Sequence, residues 1–193
     1  MRQTPSDTNH YSLRNHFLIA LPGMQDPAFA HSVTYICDHS PRGAMGVVIN
    51  RALDFTLDSV FEQLLLEHPE HQANTAVLAG GPVSRERGFV LHPRGDRQWQ
   101  SSLHITDEIS LTASRDILDA MAAGTGPEHA QFFLGYAGWE AGQLEEELAE
   151  NGWLTVPADS AILFDTPVEQ RWTAAARPLG VDINLIPTRA GHA

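Results

Sequence analysis

Two short runs of alternating residues lie close together in the chain, and this pattern constrains the fold more than any other feature. Residues 31–37 alternate in type and include three β-branched side chains, which predicts a strand. Residues 38–43 are rich in turn formers, and the apolar run at 45–50 predicts a second strand. Because one strand directly follows the other, the pair predicts an antiparallel hairpin whose loop is longer than two residues.

More strands and helices are predicted after this hairpin, at irregular intervals. Apolar residues spaced by three and four predict a core-facing helix that begins after Thr56 and ends before Pro69. Residues 75–79 predict a strand, and residues 88–92 are expected to be its antiparallel partner. Residues 131–136 predict another strand.

Three later helices complete the predicted pattern. They run from about Ser114 to Gly124, from Trp139 to Glu150, and from Thr166 to the residue before Pro178. The strands come in hairpin-like groups and do not alternate strictly with helices. This arrangement favours an α+β fold over a doubly wound parallel sheet.

The length of the chain, 193 residues, suits one domain. The chain has no internal repeat or linker, so we expect one domain at 15–187, with a flexible N-terminal tail at 1–14 and a C-terminal tail at 188–193. A domain of this size buries about 70% of the surface of its extended chain, so it needs no disulfide or metal to fold. The single cysteine, Cys37, excludes an internal disulfide and any CxxC zinc site.

The charge balance bears on the partners that the protein can bind. The 24 acidic residues outnumber the 12 basic residues, all of them arginine, and the formal net charge is -12. This balance argues against nucleic acid and against an anionic membrane surface, because both are bound through excess cations. The charge leaves a protein partner or a small anionic ligand as the expected contact.

The polar N-terminus has no apolar signal segment, so we expect a cytoplasmic protein.

Cys37 and His39 are candidates for a catalytic pair. On an extended strand they share one face, and a thiol needs a nearby base or cation to form a thiolate at neutral pH. No third residue that would orient His39 can be named from spacing. The alternatives are a packed structural thiol, the usual state of a free cysteine, and a redox-sensitive thiol. Neither residue is part of a metal-ligand pattern, and no metal is expected.

Asn50 and Arg51, at the end of the second hairpin strand, are candidates for ligand or partner binding. Arginine offers a planar fork to carboxylate or phosphate, and asparagine offers a donor and an acceptor. The simpler alternative is an asparagine that ends a strand beside an arginine paired with a surface acid.

Two glycine-rich segments, 80–82 and 135–138, could bring backbone N–H groups close to a ligand. Neither matches a nucleotide-binding motif, so no cofactor is expected, and a tight turn explains them equally well. We expect Gly138, Trp139 and Gln143, near the predicted helix start, to form one site with the hairpin end.

Several blocks between residues 13 and 187 resemble the bacterial AlgH/YqgE family. They are HFLIALPGM at 16–24, CDH at 37–39, GAMGVVINR at 43–51, GGPV at 80–83, LGYAGWEAGQLEEEL at 134–148 and NGWL at 151–154. The resemblance implies a compact α+β domain with a small β-barrel and a bifurcated, mostly antiparallel sheet surrounded by helices. It also implies a bacterial cytosolic protein without an established activity, and it supplies no catalytic residues.

The residues and the resemblance together favour a non-enzymatic regulatory protein that acts through a protein partner or a small ligand. One alternative is an enzyme or redox-sensitive protein that depends on Cys37. The other is a DNA-binding transcriptional regulator, the label often given to the family, which the net charge disfavours. The sequence leaves the identity of the ligand and the oligomeric state open.

Overall fold

The computed structural model describes residues 11–68, 75–150 and 152–186. Its strands are β1 (His16–Ala20), β2 (Val33–Ser40), β3 (Gly43–Val48), β4 (Ala52–Thr56), β5 (Ala76–Ala79), β6 (Val83–Pro93), β7 (Ser102–His104), β8 (Ile109–Thr112), β9 (Gln131–Glu140) and β10 (Trp153–Pro157). Its helices are α1 (Leu57–Gln63), α2 (Arg115–Ala122), α3 (Gln143–Ala149), α4 (Ser160–Phe164) and α5 (Arg171–Ala176). Short 3₁₀ turns occupy Val168–Gln170, Arg177–Leu179 and Ile183–Leu185.

The strands form one mostly antiparallel sheet that curls into a half-barrel. Its main order is β10-β1-β2-β3-β9-β6-β8-β7, and β4 and β5 branch from β9. Apolar side chains from both ends of this order, including Phe17 and Leu91, belong to one buried cluster. Arg14, just before β1, donates from Nε to the carbonyl of Ile105 at 2.8 Å and from Nη2 to the carbonyl of His104. It therefore ties the first strand to the opposite end of the sheet.

β9 changes its neighbour halfway along its length, and this change splits the sheet into two branches. Its first half pairs in parallel with β5, and its second half pairs antiparallel with β3. β6 pairs along its other side. Gly135 lies at the change with a φ of +75°, a conformation that favours glycine.

Helices pack on both sides of the curled sheet, and α4 and α5 contribute Leu163 and Trp172 to the first buried cluster. α3 packs against β9 and β10 through Leu144, which belongs to a second buried cluster with two tryptophans. α1 and α2 contribute Phe61 and Ile117 to a third buried cluster, which also contains residues of β5, β6 and β9. The curled sheet with its covering helices confirms the predicted α+β class and the barrel and split sheet that the resemblance implies.

Two expectations about strand pairing are wrong. Ser40 pairs with Gly43, so the hairpin loop has two residues, because the polar segment after Cys37 continues in β2. Residues 88–92 pair with β8 and β9 and not with the strand at 75–79, which lies between β4 and β9.

The chain at the N-terminal end of the predicted domain packs against the sheet. Leu13, which the sequence places in the flexible tail, is 2% exposed, and Ser12 Oγ donates to the carbonyl of His39 at 3.1 Å. α1 follows Thr56 as predicted and already ends at Gln63, whereas Pro69 and the tail at 188–193 lie outside the described residues. None of the helices in the described residues has the length and apolar character needed to cross a bilayer.

Candidate functional site

A β-bulge at Cys37 places the Cys37 and His39 side chains on different faces of β2. The pairing of β2 with β3 shifts between Ile36 and Asp38, so Cys37 is an extra residue in its strand. Cys37 joins the cluster inside the half-barrel, whereas His39 Nε2 lies 2.9 Å from Glu145 Oε1 of α3. The expectation that the two side chains share a face is wrong, because strict alternation holds only in an unbroken strand.

Cys37 lacks the properties of a nucleophile. Its side chain is fully buried, and its Sγ is 3.6 Å from the carbonyl oxygen of Tyr35. Burial, with a smaller contribution from the charge of Asp38, raises the pKa of the Cys37 thiol far above its usual range. This environment argues against an enzyme or redox sensor that depends on Cys37 and favours the packed structural thiol.

This burial gives a direct prediction for the thiol. In native buffer at pH 8, Cys37 should react with Ellman's reagent at least about a hundredfold more slowly than after unfolding in guanidinium chloride, because the thiolate forms only when the core opens. The increase in absorbance under both conditions measures this difference. Reaction of the folded protein at the rate of free cysteine would contradict it.

His39 has a structural role in this arrangement. Its Nδ1 accepts the backbone N–H of Leu13 at 2.9 Å, so the proton lies on Nε2, which faces Glu145. The residue is 6% exposed, and its ring joins three segments: the chain before β1, the strand β2 and the helix α3. A general base needs a free lone pair near a reacting group, and the described contacts use both ring nitrogens.

Gly138 and Trp139 lie in β9 and not at the start of a helix. β9 continues to Glu140 because it pairs with β3 over this stretch, and α3 begins at Gln143 after Gly142. The predicted helix from Trp139 to Glu150 is therefore wrong at its N-terminal end. The glycine-rich segment at 135–138 therefore does not lead directly into the N-terminus of a helix.

Glu147 of α3 connects the tryptophans to the helix, a role that the sequence analysis missed. Its Oε2 accepts the indole N–H groups of Trp139 and Trp153, each at 3.0 Å. Its Oε1 accepts the amide of Gln143 at 3.0 Å, and Gln143 Oε1 accepts the backbone N–H of Glu140. These contacts occupy the polar groups of Trp139 and Gln143 and hold α3 on the sheet.

The two halves of the expected joint site lie apart. Gly138 pairs with Met45, five residues before Asn50 along β3 and its extension. At about 3.3 Å per residue, this separation is roughly 16 Å. Gly138 lines an open groove of about 710 Å³ with Met45 and Tyr136, whereas Arg51 lines a different cleft. The joint site of Asn50, Arg51, Gly138, Trp139 and Gln143 is therefore not formed.

The structure instead brings Arg51 together with the glycine turn at 80–82. Asn50 holds the hairpin end in place, since its Oδ1 accepts the N–H of Val33 and its Nδ2 donates to the carbonyl of His31, both at 2.8 Å. Arg51 Nη2 donates to the carbonyl of Ala30 at 2.9 Å. These bonds fix the Arg51 side chain at the mouth of a cleft of about 330 Å³.

This arginine cleft combines two cations with an apolar wall. Arg51 is half-buried and Arg85, from β6, is exposed. Phe55 and Pro82 are among the apolar residues of the wall, and none of the described residues that line the cleft is acidic. In a chain with twice as many acidic as basic residues, such a cleft is a local concentration of positive charge.

Arg85 is the member of this cleft that the sequence analysis missed. It lies three residues after Pro82, and both residues line the same cleft as Arg51 at the hairpin end. The sequence shows two arginines, at 85 and 87, after a predicted turn. That Arg85 lines the same cleft as Arg51 depends on how the strands pair, which the local sequence does not give.

Within the described part of the chain, no group of three histidine, cysteine or acidic side chains could hold a metal ion.

The half-barrel and its clefts define a single-domain α+β protein with a curled antiparallel sheet. Residues 17–184 match the model of a family described as AlgH-like, DUF179. The chain belongs to this AlgH-like family, as its resemblance to the AlgH/YqgE sequences predicted.

The similar proteins are bacterial and carry no assigned activity in their names. A UPF0301 protein of Saccharophagus degradans is 61% identical over 182 residues, which are 94% of this chain and 89% of that protein. The solution structure of the AlgH protein from Pseudomonas aeruginosa is 51% identical, with a TM-score of 0.78, and the match covers 99% of this chain and 100% of that one. A Corynebacterium diphtheriae protein at 19% identity has a TM-score of 0.69 over 90% of each chain, which shows the shared fold alone.

Proposed function

We propose that this protein is a non-enzymatic, cytoplasmic regulatory protein that binds a small anionic ligand in the arginine cleft. The observation that carries the proposal is the pair Arg51 and Arg85 at an apolar cleft that has no acidic lining residue in the described part of the chain. A guanidinium binds carboxylate or phosphate oxygens with directed, charge-assisted hydrogen bonds. The apolar wall favours a ligand that carries a hydrophobic body beside its anionic group.

The remaining parts of this proposal come from charge and composition. The protein would regulate by binding a protein partner, because its net charge of -12 disfavours binding to duplex DNA. Several arginines are also committed within the fold: Arg14 to the carbonyls near β7, Arg115 to Asp119 and Arg171 to buried oxygens. These commitments leave fewer guanidinium groups for a polyanion.

The test is a titration of the isotope-labelled protein with benzoate, followed by amide chemical shifts. We expect saturable shifts at Phe55 and Gly81, and about tenfold weaker binding to the Arg85→Gln variant, because one charge-assisted contact is lost. Arg115→Gln is the matched control, since Arg115 is an exposed arginine that pairs with Asp119 at 3.4 Å and lies outside the cleft.

Neutral benzamide supplies the control for charge. It has the same ring and nearly the same shape as benzoate, so equal shifts with benzamide would mean that only the apolar wall binds. That result, or equal benzoate affinity in Arg85→Gln and Arg115→Gln, would overturn the anion site.

A further inference from the structure

Arg171 is a buried cation whose hydrogen bonds go to neutral oxygen atoms. The residue is 3% exposed at the start of α5. Its Nη1 donates to the carbonyl of Ile49 at 2.7 Å and to Gln131 Oε1 at 2.9 Å, and its Nε donates to the carbonyl of Thr166 at 3.0 Å. Within the described residues, no carboxylate forms an ion pair with it inside 4.0 Å.

This arrangement is costly for an isolated domain. Removing a guanidinium from water carries a large desolvation penalty, and neutral carbonyl groups compensate it less well than a carboxylate does. The burial is deep enough to lower the pKa of Arg171 to about 10, against a smaller opposing effect of Glu169. The side chain nevertheless keeps its charge at neutral pH.

The guanidinium is held in one orientation and has one nitrogen left over. Gln131 Nε2 donates to the carbonyl of Leu163, which orients the amide oxygen of Gln131 toward Arg171. In the described part of the chain, Nη2 has no hydrogen-bond partner, in contrast to Nε and Nη1. Arg171 also lines a cavity of about 740 Å³ between α1 and the segment before α5. An ordered donor of this kind suits a carboxylate group of a ligand.

The rim of the same cavity carries the opposite charge. Glu128 and Asp165 line it and are exposed, whereas Phe61, Met121 and Phe164 supply apolar surface. A simple anion would be attracted by Arg171 and repelled by the two rim carboxylates. A ligand with both a carboxylate and an ammonium group satisfies both charges.

From this distribution of charge we propose that the Arg171 cavity is a second ligand site, which binds an amino acid with an apolar side chain as its zwitterion. The ligand carboxylate accepts from Arg171, its ammonium group lies near Asp165 or Glu128, and its side chain contacts the apolar wall. The volume of the cavity is within the range of small-molecule sites. This site is separate from the arginine cleft and does not depend on it.

The experiment titrates the full chain with three zwitterions, leucine, methionine and phenylalanine, and follows amide shifts at Gly124, Gly126 and Thr166. Two analogues of leucine test the charges: 4-methylpentanoate lacks the ammonium group, and 3-methylbutylamine lacks the carboxylate. We expect at least one zwitterion to bind saturably, and the analogues of leucine to bind about tenfold more weakly than leucine where leucine binds.

Variants separate this site from the arginine cleft and from a loss of folding. Asp165→Asn changes an exposed rim residue, so it should fold normally and weaken zwitterion binding by about fivefold while leaving benzoate binding unchanged. Arg85→Gln should leave zwitterion binding unchanged, because Arg85 does not line this cavity. Failure of all three zwitterions to produce saturable shifts, or affinity that is the same without either charged group, would overturn this site and would leave the proposal for the arginine cleft standing.

Discussion

An Arg171→Met variant is expected to lose about 3–5 kcal/mol of the free energy of unfolding. Methionine fills a similar volume but donates no hydrogen bond. The substitution leaves the carbonyls of Ile49 and Thr166 and the amide oxygen of Gln131 without the donor that they now share. Each of these acceptors, one buried and two partly buried, costs about 1–3 kcal/mol when it loses its donor, and removal of the desolvation penalty of the guanidinium offsets part of the sum.

Urea unfolding measured by circular dichroism tests this expectation. The midpoint should fall while the dependence on urea concentration stays the same, because the variant changes contacts and not the surface exposed on unfolding. Arg177→Met is the matched control, since Arg177 follows the same helix and is exposed, and it should change stability by less than about 0.5 kcal/mol. Equal effects of the two variants would show that the buried contacts of Arg171 contribute nothing.

The Arg171 contacts also bear on the arginine cleft. Arg171 holds the carbonyl of Ile49, the residue directly before Asn50 and Arg51. The position of Arg51 therefore depends on α5 as well as on the bonds from Asn50 to the chain near β2.

The class of the fold was predictable because its signals are local. Alternation over 31–37, the apolar spacing that follows Thr56 and the terminating glycine at Gly124 each depend on neighbours within a few residues. The structure has β2, α1 and α2 at these places. Errors began where the end of an element depends on a distant strand: β9 continues through Trp139 because β3 pairs with it there.

The candidate sites were less predictable, because they depend on contacts between residues far apart in sequence. Asn50 and Arg51 were identified from their chemistry, but the neighbour of Arg51 is Arg85 and not Gly138. The bulge that places Cys37 and His39 on different faces is a one-residue shift in the pairing of β2 with β3, and no local sequence pattern predicts it. The buried cation at Arg171 was missed because arginine is ordinarily an exposed residue.

A Gly81→Ala variant is expected to lose about 3 kcal/mol or more of the free energy of unfolding, for a reason that lies in the backbone. Gly81 has a φ of +155°, and a Cβ on it would overlap the carbonyl carbon and oxygen of Tyr136 in β9. The neighbouring atoms are backbone, so they cannot move aside as the end of a side chain can. The turn at 80–82 would have to shift away from β9, where the sheet divides, and it would carry Pro82 and the start of β6 with it.

Two other glycines separate the causes of this loss. Gly95 has open space around it and no left-handed φ, so Gly95→Ala should change stability by less than about 0.5 kcal/mol. Gly142 also has open space but a φ of +81°, so Gly142→Ala should cost about 1–2 kcal/mol from conformation alone. Urea midpoints in the order Gly95→Ala, Gly142→Ala, Gly81→Ala, from highest to lowest, would show that close approach of two backbones adds to the conformational cost. Equal losses of the free energy of unfolding in Gly142→Ala and Gly81→Ala would contradict this expectation. They would mean that the turn at 80–82 moves away from β9 at little cost, and that the cleft beside Gly81 deforms easily.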